Sequence, residues 1–250
     1  MEIIASPSPN FDFRQYPVNM LVLHYTGMES GHAALDRMCD PEAKVSSHYM
    51  VWEDGRIDQL VAEDRRAWHA GVSRWQGDQD LNSRSIGIEI VNGGHDFPLA
   101  DGSLPPFPLP QIQALIALIR KILADHDIPA TRIVGHSDIA PDRKQDPGEH
   151  FPWQMLAQAG IGFWPEVEGT NDPDVDGKSL SPGETGASVR RMQEFLAGIG
   201  YALDCNGSYD PPTEAVVRAF QRRWLPDRVS GIADIQTLRR IGAVFDFYSA

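Results

Sequence analysis

Along the first 165 positions, short apolar runs alternate with stretches whose apolar residues recur every three or four places. The runs Met20–Tyr25, Tyr49–Trp52, Ile57–Leu60, Ile86–Val91 and Arg132–Val134 predict β-strands. The longest helical pattern begins at Pro110, where proline suits a first turn, and continues to His126; shorter helices are expected over Gly31–Met38 and Pro152–Ala159. Strands that alternate with helices in this way predict an α/β unit, a sheet carrying helices on its faces. The pattern stops after Pro165. Residues Glu166–Pro182 are acidic and rich in Gly, Pro, Asn and Ser, which reads as a linker. Three helical patterns follow, carried by Val189, Met192 and Leu196, by Val216, Val217 and Phe220, and by Ile235, Leu238 and Ile241, with Thr213 and Asp234 as expected N-caps. The chain therefore divides into an α/β domain over 1–165, a linker over 166–182 and a small three-helix domain over 183–250.

Composition narrows the partners. No apolar run reaches the roughly 18 residues a membrane span needs, and the longest candidate, Ile112–Ala124, is interrupted by Arg120 and Lys121. The start, Met1-Glu2-Ile3-Ile4, has neither a basic leader nor a cleavage site, so a cytoplasmic location and delivery to the periplasm or cell wall by another route both stay open. Of the formal net charge of -13, most lies in residues 1–165, which hold 13 basic and 22 acidic side chains. Such a domain repels phosphate backbones, and nucleic acid is not expected as a partner. Cys39 and Cys205 fall in different domains and are expected as reduced thiols. The oligomeric state is left open by the sequence.

Two apolar strands each deliver a histidine at the C-terminal end, where α/β folds usually build their sites: Leu21-Val22-Leu23-His24 and Arg132-Ile133-Val134-Gly135-His136. Ten residues after the second histidine, an extended segment would turn Lys144 and Asp146 to one side. Two imidazoles and a carboxylate leave a zinc ion one position for water, as catalytic zinc sites require. Spacing alone leaves hydrogen-bonded core histidines equally open. In Ile86-Gly87-Ile88-Glu89-Ile90, alternation puts Gly87 and Glu89 on one face, where Glu89 could be a general base and Gly87 could leave room for substrate; an exposed edge strand is the plainer alternative.

Five ordered segments together are more specific than any of these residues alone. Leu23-His24-Tyr25-Thr26, Ser46-Ser47-His48-Tyr49, Ala67-Trp68-His69-Ala70-Gly71, Ile86-Gly87-Ile88-Glu89, and Val134-Gly135-His136-Ser137-Asp138 with Lys144-Gln145-Asp146-Pro147-Gly148 resemble the type 2 N-acetylmuramoyl-L-alanine amidases. The resemblance implies a mixed central β-sheet flanked by helices, and a zinc-dependent hydrolase that cleaves the amide between the lactyl group of N-acetylmuramic acid, or its 1,6-anhydro form, and L-alanine in peptidoglycan or muropeptides. It implies that His24, His136 and Asp146 bind Zn²⁺, that Glu89 is the acid/base and that Lys144 stabilises the oxyanion. It also implies substrate-binding positions at His69 and Tyr49. Val189-Arg190-Arg191-Met192-Gln193, Asn206-Gly207-Ser208-Tyr209 and Ala215-Val216-Val217-Arg218-Ala219-Phe220-Gln221 are similar to a three-helix peptidoglycan-binding domain. A non-catalytic recognition protein on the same fold is the alternative; the full ligand set and the Glu89 and Lys144 pair favour the enzyme.

Overall fold

The computed structural model describes residues 2–165 and 178–250, so positions 166–177 of the expected linker lie outside the described residues. Eight strands and eight α-helices are described: β1 (Ile3–Ala5), β2 (Phe11–Phe13), β3 (Met20–Tyr25), α1 (Gly31–Cys39), β4 (Tyr49–Val51), β5 (Ile57–Gln59), β6 (Arg65–Ala67), α2 (Leu81–Arg84), β7 (Ser85–Ile90), α3 (Leu109–Asp125), β8 (Ile133–Gly135), α4 (His136–Ile139), α5 (Trp153–Gln158), α6 (Ala187–Ile199), α7 (Pro211–Trp224) and α8 (Ile235–Ser249). Six strands form one mixed sheet in the order β1-β5-β4-β7-β3-β8, and β2 pairs with β6 in a separate ribbon. Within the sheet only β4 and β5 run antiparallel; β3 is parallel to both β7 and β8.

The sheet's two faces have different jobs. Leu21, Leu23, Ile86, Ile88 and Ile90 pack with Ile112, Leu115, Ile119 and Ile122 of α3. Gln111 fixes that helix to the sheet by donating to the carbonyls of Val51 (3.0 Å) and Val91 (2.8 Å). Parallel partners point to the same face, so the pairing of His24 with Glu89 turns both side chains away from α3. That second face carries the site.

The expected strands and helices are present with ends displaced by a residue or two. Arg132 belongs instead to a 3₁₀ turn over Ala130–Arg132, entered through Pro129. β1, β2 and β6 were not foreseen: unlike the equally short β4, β5 and β8, their side chains are mostly exposed or half-buried, so no buried apolar run marks them. The N-cap of α7 is Asp210, which accepts from the Thr213 amide, so Thr213 lies inside the first turn; Asp234 caps α8 as expected. Cys39 and Cys205 are free thiols.

The three C-terminal helices share their core with the sheet. One apolar cluster runs from Met20, Val22, Val134 and Ile139 through Trp75 to Tyr201, Val217, Phe220 and Trp224. Trp75 meets Tyr201 edge-on at 5.1 Å, and the Gln76 amide donates to the Gly200 carbonyl at 2.9 Å.

Candidate metal centre

His24 sits at the end of β3, and His136 is the first residue of α4, directly after β8. Asp146 arrives on the loop that follows, held where the Ser137 amide donates to its carbonyl at 2.9 Å. A Cβ at Gly135 would lie 2.7 Å from Cδ of Pro147, so glycine is what lets this loop close on the strand end. The result is a triangle. His24 Nδ1 lies 3.0 Å from His136 Nδ1 and 2.9 Å from Asp146 Oδ2, and His136 Nδ1 lies 3.0 Å from the same oxygen. All three residues are buried. These edges are close to the roughly 3.3 Å edge of a tetrahedron with bonds of about 2.0 Å.

The hydrogen bonds behind the triangle decide where the ring protons are. Ser85 Oγ donates its single proton to the Leu81 carbonyl (2.6 Å), so towards His69 Nε2 (3.2 Å) it can only accept. His69 Nε2 therefore carries hydrogen, and its neutral ring presents a bare Nδ1 to His24 Nε2 at 3.0 Å. His24 must then be protonated on Nε2 and bare on Nδ1. His136 Nε2 faces the Ala70 carbonyl at 3.2 Å, which can only accept, so in the neutral ring its Nδ1 is bare too. Two nitrogen lone pairs and a carboxylate oxygen thus converge with no proton between them. A cation satisfies that arrangement, and this donor set of two imidazoles and a carboxylate suits zinc. Burial, then His136, lowers the His24 pKa to about 4, which keeps its ring neutral and able to ligate at pH 7.

The triangle opens on a cleft of about 550 Å³ whose walls include Glu89, Lys144, Arg143, His69, Asp96 and Phe97. Glu89 Oε2 is buried without a hydrogen-bond partner among the described residues. Burial first, then the charge of Asp146, raises its pKa well above the carboxylate range, while Lys144 draws it back.

Three expectations change. Tyr49 is not in the cleft: it pairs with Ile88, not Glu89, so its ring enters the core on the α3 side, where its hydroxyl donates to Glu63 at 2.5 Å. His48 takes the site-side parity instead, but it is buried beneath the cleft floor, its Nδ1 accepting from the Gly87 amide at 3.0 Å. Gly87 makes room for the His69 ring, not for substrate, since a Cβ there would stand 2.5 Å from that ring. His69 lines the cleft, yet both its nitrogens are committed to Ser85 and His24. Ser85 and Asn82 were missed by the sequence reading. Ser85 could have been found by its alternation with Gly87 and Glu89; Asn82, which accepts from the amides of His69 (2.9 Å) and Ala70 (2.7 Å), left no such signal.

Comparison with known proteins agrees with this geometry. The sequence model of the N-acetylmuramoyl-L-alanine amidase family matches residues 14–149, and that of a peptidoglycan binding domain matches residues 185–241. The chain is 39% identical to N-acetylmuramoyl-L-alanine amidase AmiD of Escherichia coli K12 over 242 residues, which covers 93% of this chain and 84% of that protein. The structure is similar to E. coli AmiD in complex with the substrate anhydro-N-acetylmuramic acid-L-Ala-D-γ-Glu-L-Lys, with a TM-score of 0.76, 36% identity and coverage of 92% of this chain and 90% of that one. It is also similar to AmpDh3 of Pseudomonas aeruginosa in complex with anhydromuramic pentapeptide, at a TM-score of 0.74 and 32% identity, with 92% of each chain covered.

Proposed function

This chain belongs to the N-acetylmuramoyl-L-alanine amidase family, and on that premise we propose that it is a zinc enzyme that hydrolyses the amide between the muramic lactyl group and L-alanine in muropeptides, 1,6-anhydro forms included. The observation that carries this reading is the convergence of three proton-free acceptors, His24 Nδ1, His136 Nδ1 and Asp146 Oδ2, at the base of an open cleft. When bound there, zinc supplies Lewis acidity, activating water at neutral pH and polarising a carbonyl. The protein does the rest. Glu89 lines the cleft, holds a buried oxygen without a partner among the described residues, and takes the proton of the attacking water. Its raised pKa makes it a stronger base than an ordinary carboxylate and lets it hold that proton until the alanine nitrogen departs. Lys144, on the cleft wall, offers positive charge to the oxyanion that forms on the lactyl carbonyl. The helical segment over 183–250, whose sequence matches a peptidoglycan binding domain, serves to keep polymer close to the cleft.

Mass spectrometry of an anhydro-muropeptide digest tests the assignment. The expected products are the free lactyl carboxylate and a peptide with a free alanine amine, lost with EDTA and restored by zinc. Glu89→Gln should keep stoichiometric zinc while kcat falls by about 10²-fold or more. Cleavage elsewhere in the substrate, or full activity in a demonstrably metal-free chain, would overturn the proposal.

A further inference from the structure

The last turn of α7 carries two adjacent arginines that reach the two chain segments delivering His136 and Asp146. Arg223 is 3% exposed; it donates through Nη1 to Asp138 Oδ2 at 2.8 Å and through Nη2 to the Ile133 carbonyl at 2.9 Å. Its guanidinium lies over the rings of Trp153 and Trp224, at 4.3 and 4.5 Å from their centroids. Asp138, 1% exposed, also accepts from the Gly135 amide (2.9 Å) and from the Tyr201 hydroxyl (2.7 Å). Its carboxylate therefore grips the backbone immediately before His136. Arg222 turns the other way: Nη2 donates to Gln145 Oε1 at 3.0 Å, and Nε stands 3.9 Å from Glu149 Oε2. Those residues flank Asp146.

We propose that α7 belongs to the scaffold of the metal centre, with Arg223 and Arg222 as positioning residues that fix His136 through Asp138 and Asp146 through Gln145 and Glu149. A domain that serves only as a tether needs no charged group inside its docking surface. Apolar packing would hold the two parts together without the desolvation cost of a buried ion pair. What the pair adds is direction: the carboxylate must sit where Arg223 of α7, Tyr201 of the α6–α7 connection and one amide from the ligand segment meet. The Ser137 amide bond to the Asp146 carbonyl then links the two ligand segments to each other.

The inference rests on the reading of His24, His136 and Asp146 as a zinc site, and the test separates the two. In the full chain, zinc affinity is measured by chelator competition, and kcat and KM on a small soluble muropeptide that carries no polymer for a binding domain to hold. Arg223→Met should weaken zinc binding about tenfold and lower kcat with little change in KM, as loss of outer support does elsewhere. Arg223→Lys should recover part of both. Should Arg223→Met fail to fold, Tyr201→Phe removes the hydroxyl bond to Asp138 and Arg222→Gln the contacts to Gln145 and Glu149, and each is expected to weaken zinc binding about threefold. Folded variants with wild-type zinc affinity and kcat, even at a lower melting temperature, would reduce the arginines to interdomain glue and overturn the inference alone. A wild-type chain that binds no zinc would take the metal reading down with it.

Discussion

Ser85 fixes a proton two side chains away. Because its own proton goes to the Leu81 carbonyl, it sets the tautomer of His69 and, through it, the bare Nδ1 of His24. Ser85→Ala removes that instruction and lets His69 carry its hydrogen on Nδ1, which forces His24 towards the tautomer that cannot ligate. We expect zinc affinity to fall about tenfold with the fold intact, checked by chelator competition and far-UV circular dichroism. An unchanged affinity would show that the relay sets nothing. At this scale much was legible in the sequence. His24, Glu89, His136 and Asp146 stand in segments whose resemblance to the amidase family names them, whereas spacing alone left core histidines and an exposed edge strand open. His69 was noticed too, but its role depends on what its nitrogens touch, and no spacing rule reports a tautomer.

Parity governs the elements. β4 and β7 run parallel with Tyr49 opposite Ile88 and Met50 opposite Glu89, so a one-residue difference in register separates core from cleft. Tyr49→Phe should therefore leave kcat and KM on muropeptide unchanged while costing about 1 kcal/mol of stability for the lost Glu63 hydrogen bond. Turnover assays and urea unfolding check the two halves; a clear loss of activity would return Tyr49 to the site. Strong periodicity made β3, β7 and α3 readable from the sequence, since a buried central strand and an amphipathic helix of 17 residues leave long apolar signatures. The short, largely exposed β1, β2 and β6 left none.

The whole molecule buries several histidines as neutral rings, and that sets its response to acid. Burial is the main cause in each case, holding His24 and the half-buried His150 at about 4 and His48 at about 3, with His69 also well below its ordinary value. An unfolded chain protonates these rings near pH 6.5, whereas the native metal-free chain takes the protons only near or below pH 4. Between those values the unfolded state binds more protons, so stability falls as pH falls. Glu89 works in the opposite sense above its ordinary 4.5, because its folded pKa is raised, but it is one group against four. Thermal unfolding in EDTA from pH 7 to pH 4 should show a steadily decreasing midpoint; a flat or rising one would contradict the buried neutral rings. The molecule also behaves as a single packed body across its described parts. Asp138 is 1% exposed and paired with Arg223, so removing that arginine while the two parts stay packed would strand a buried carboxylate at a cost on the order of 3–5 kcal/mol. That is a large share of the stability an ordinary domain possesses.

By itself, the sequence determined what is local or periodic: the α/β rhythm, the long helix, the three terminal helices, and the identity of the residues that could hold a metal. Those follow from side-chain chemistry and from repeats of two or 3.6 residues that a chain carries wherever it lies. Tertiary structure alone decided which face Tyr49 and His48 take, what Gly87 makes room for, which nitrogen of each histidine is bare, and that the C-terminal helices share a core and an ion pair with the catalytic sheet. Each of these depends on register or on contacts between segments far apart in sequence, and no pattern within one segment encodes where another will come to rest.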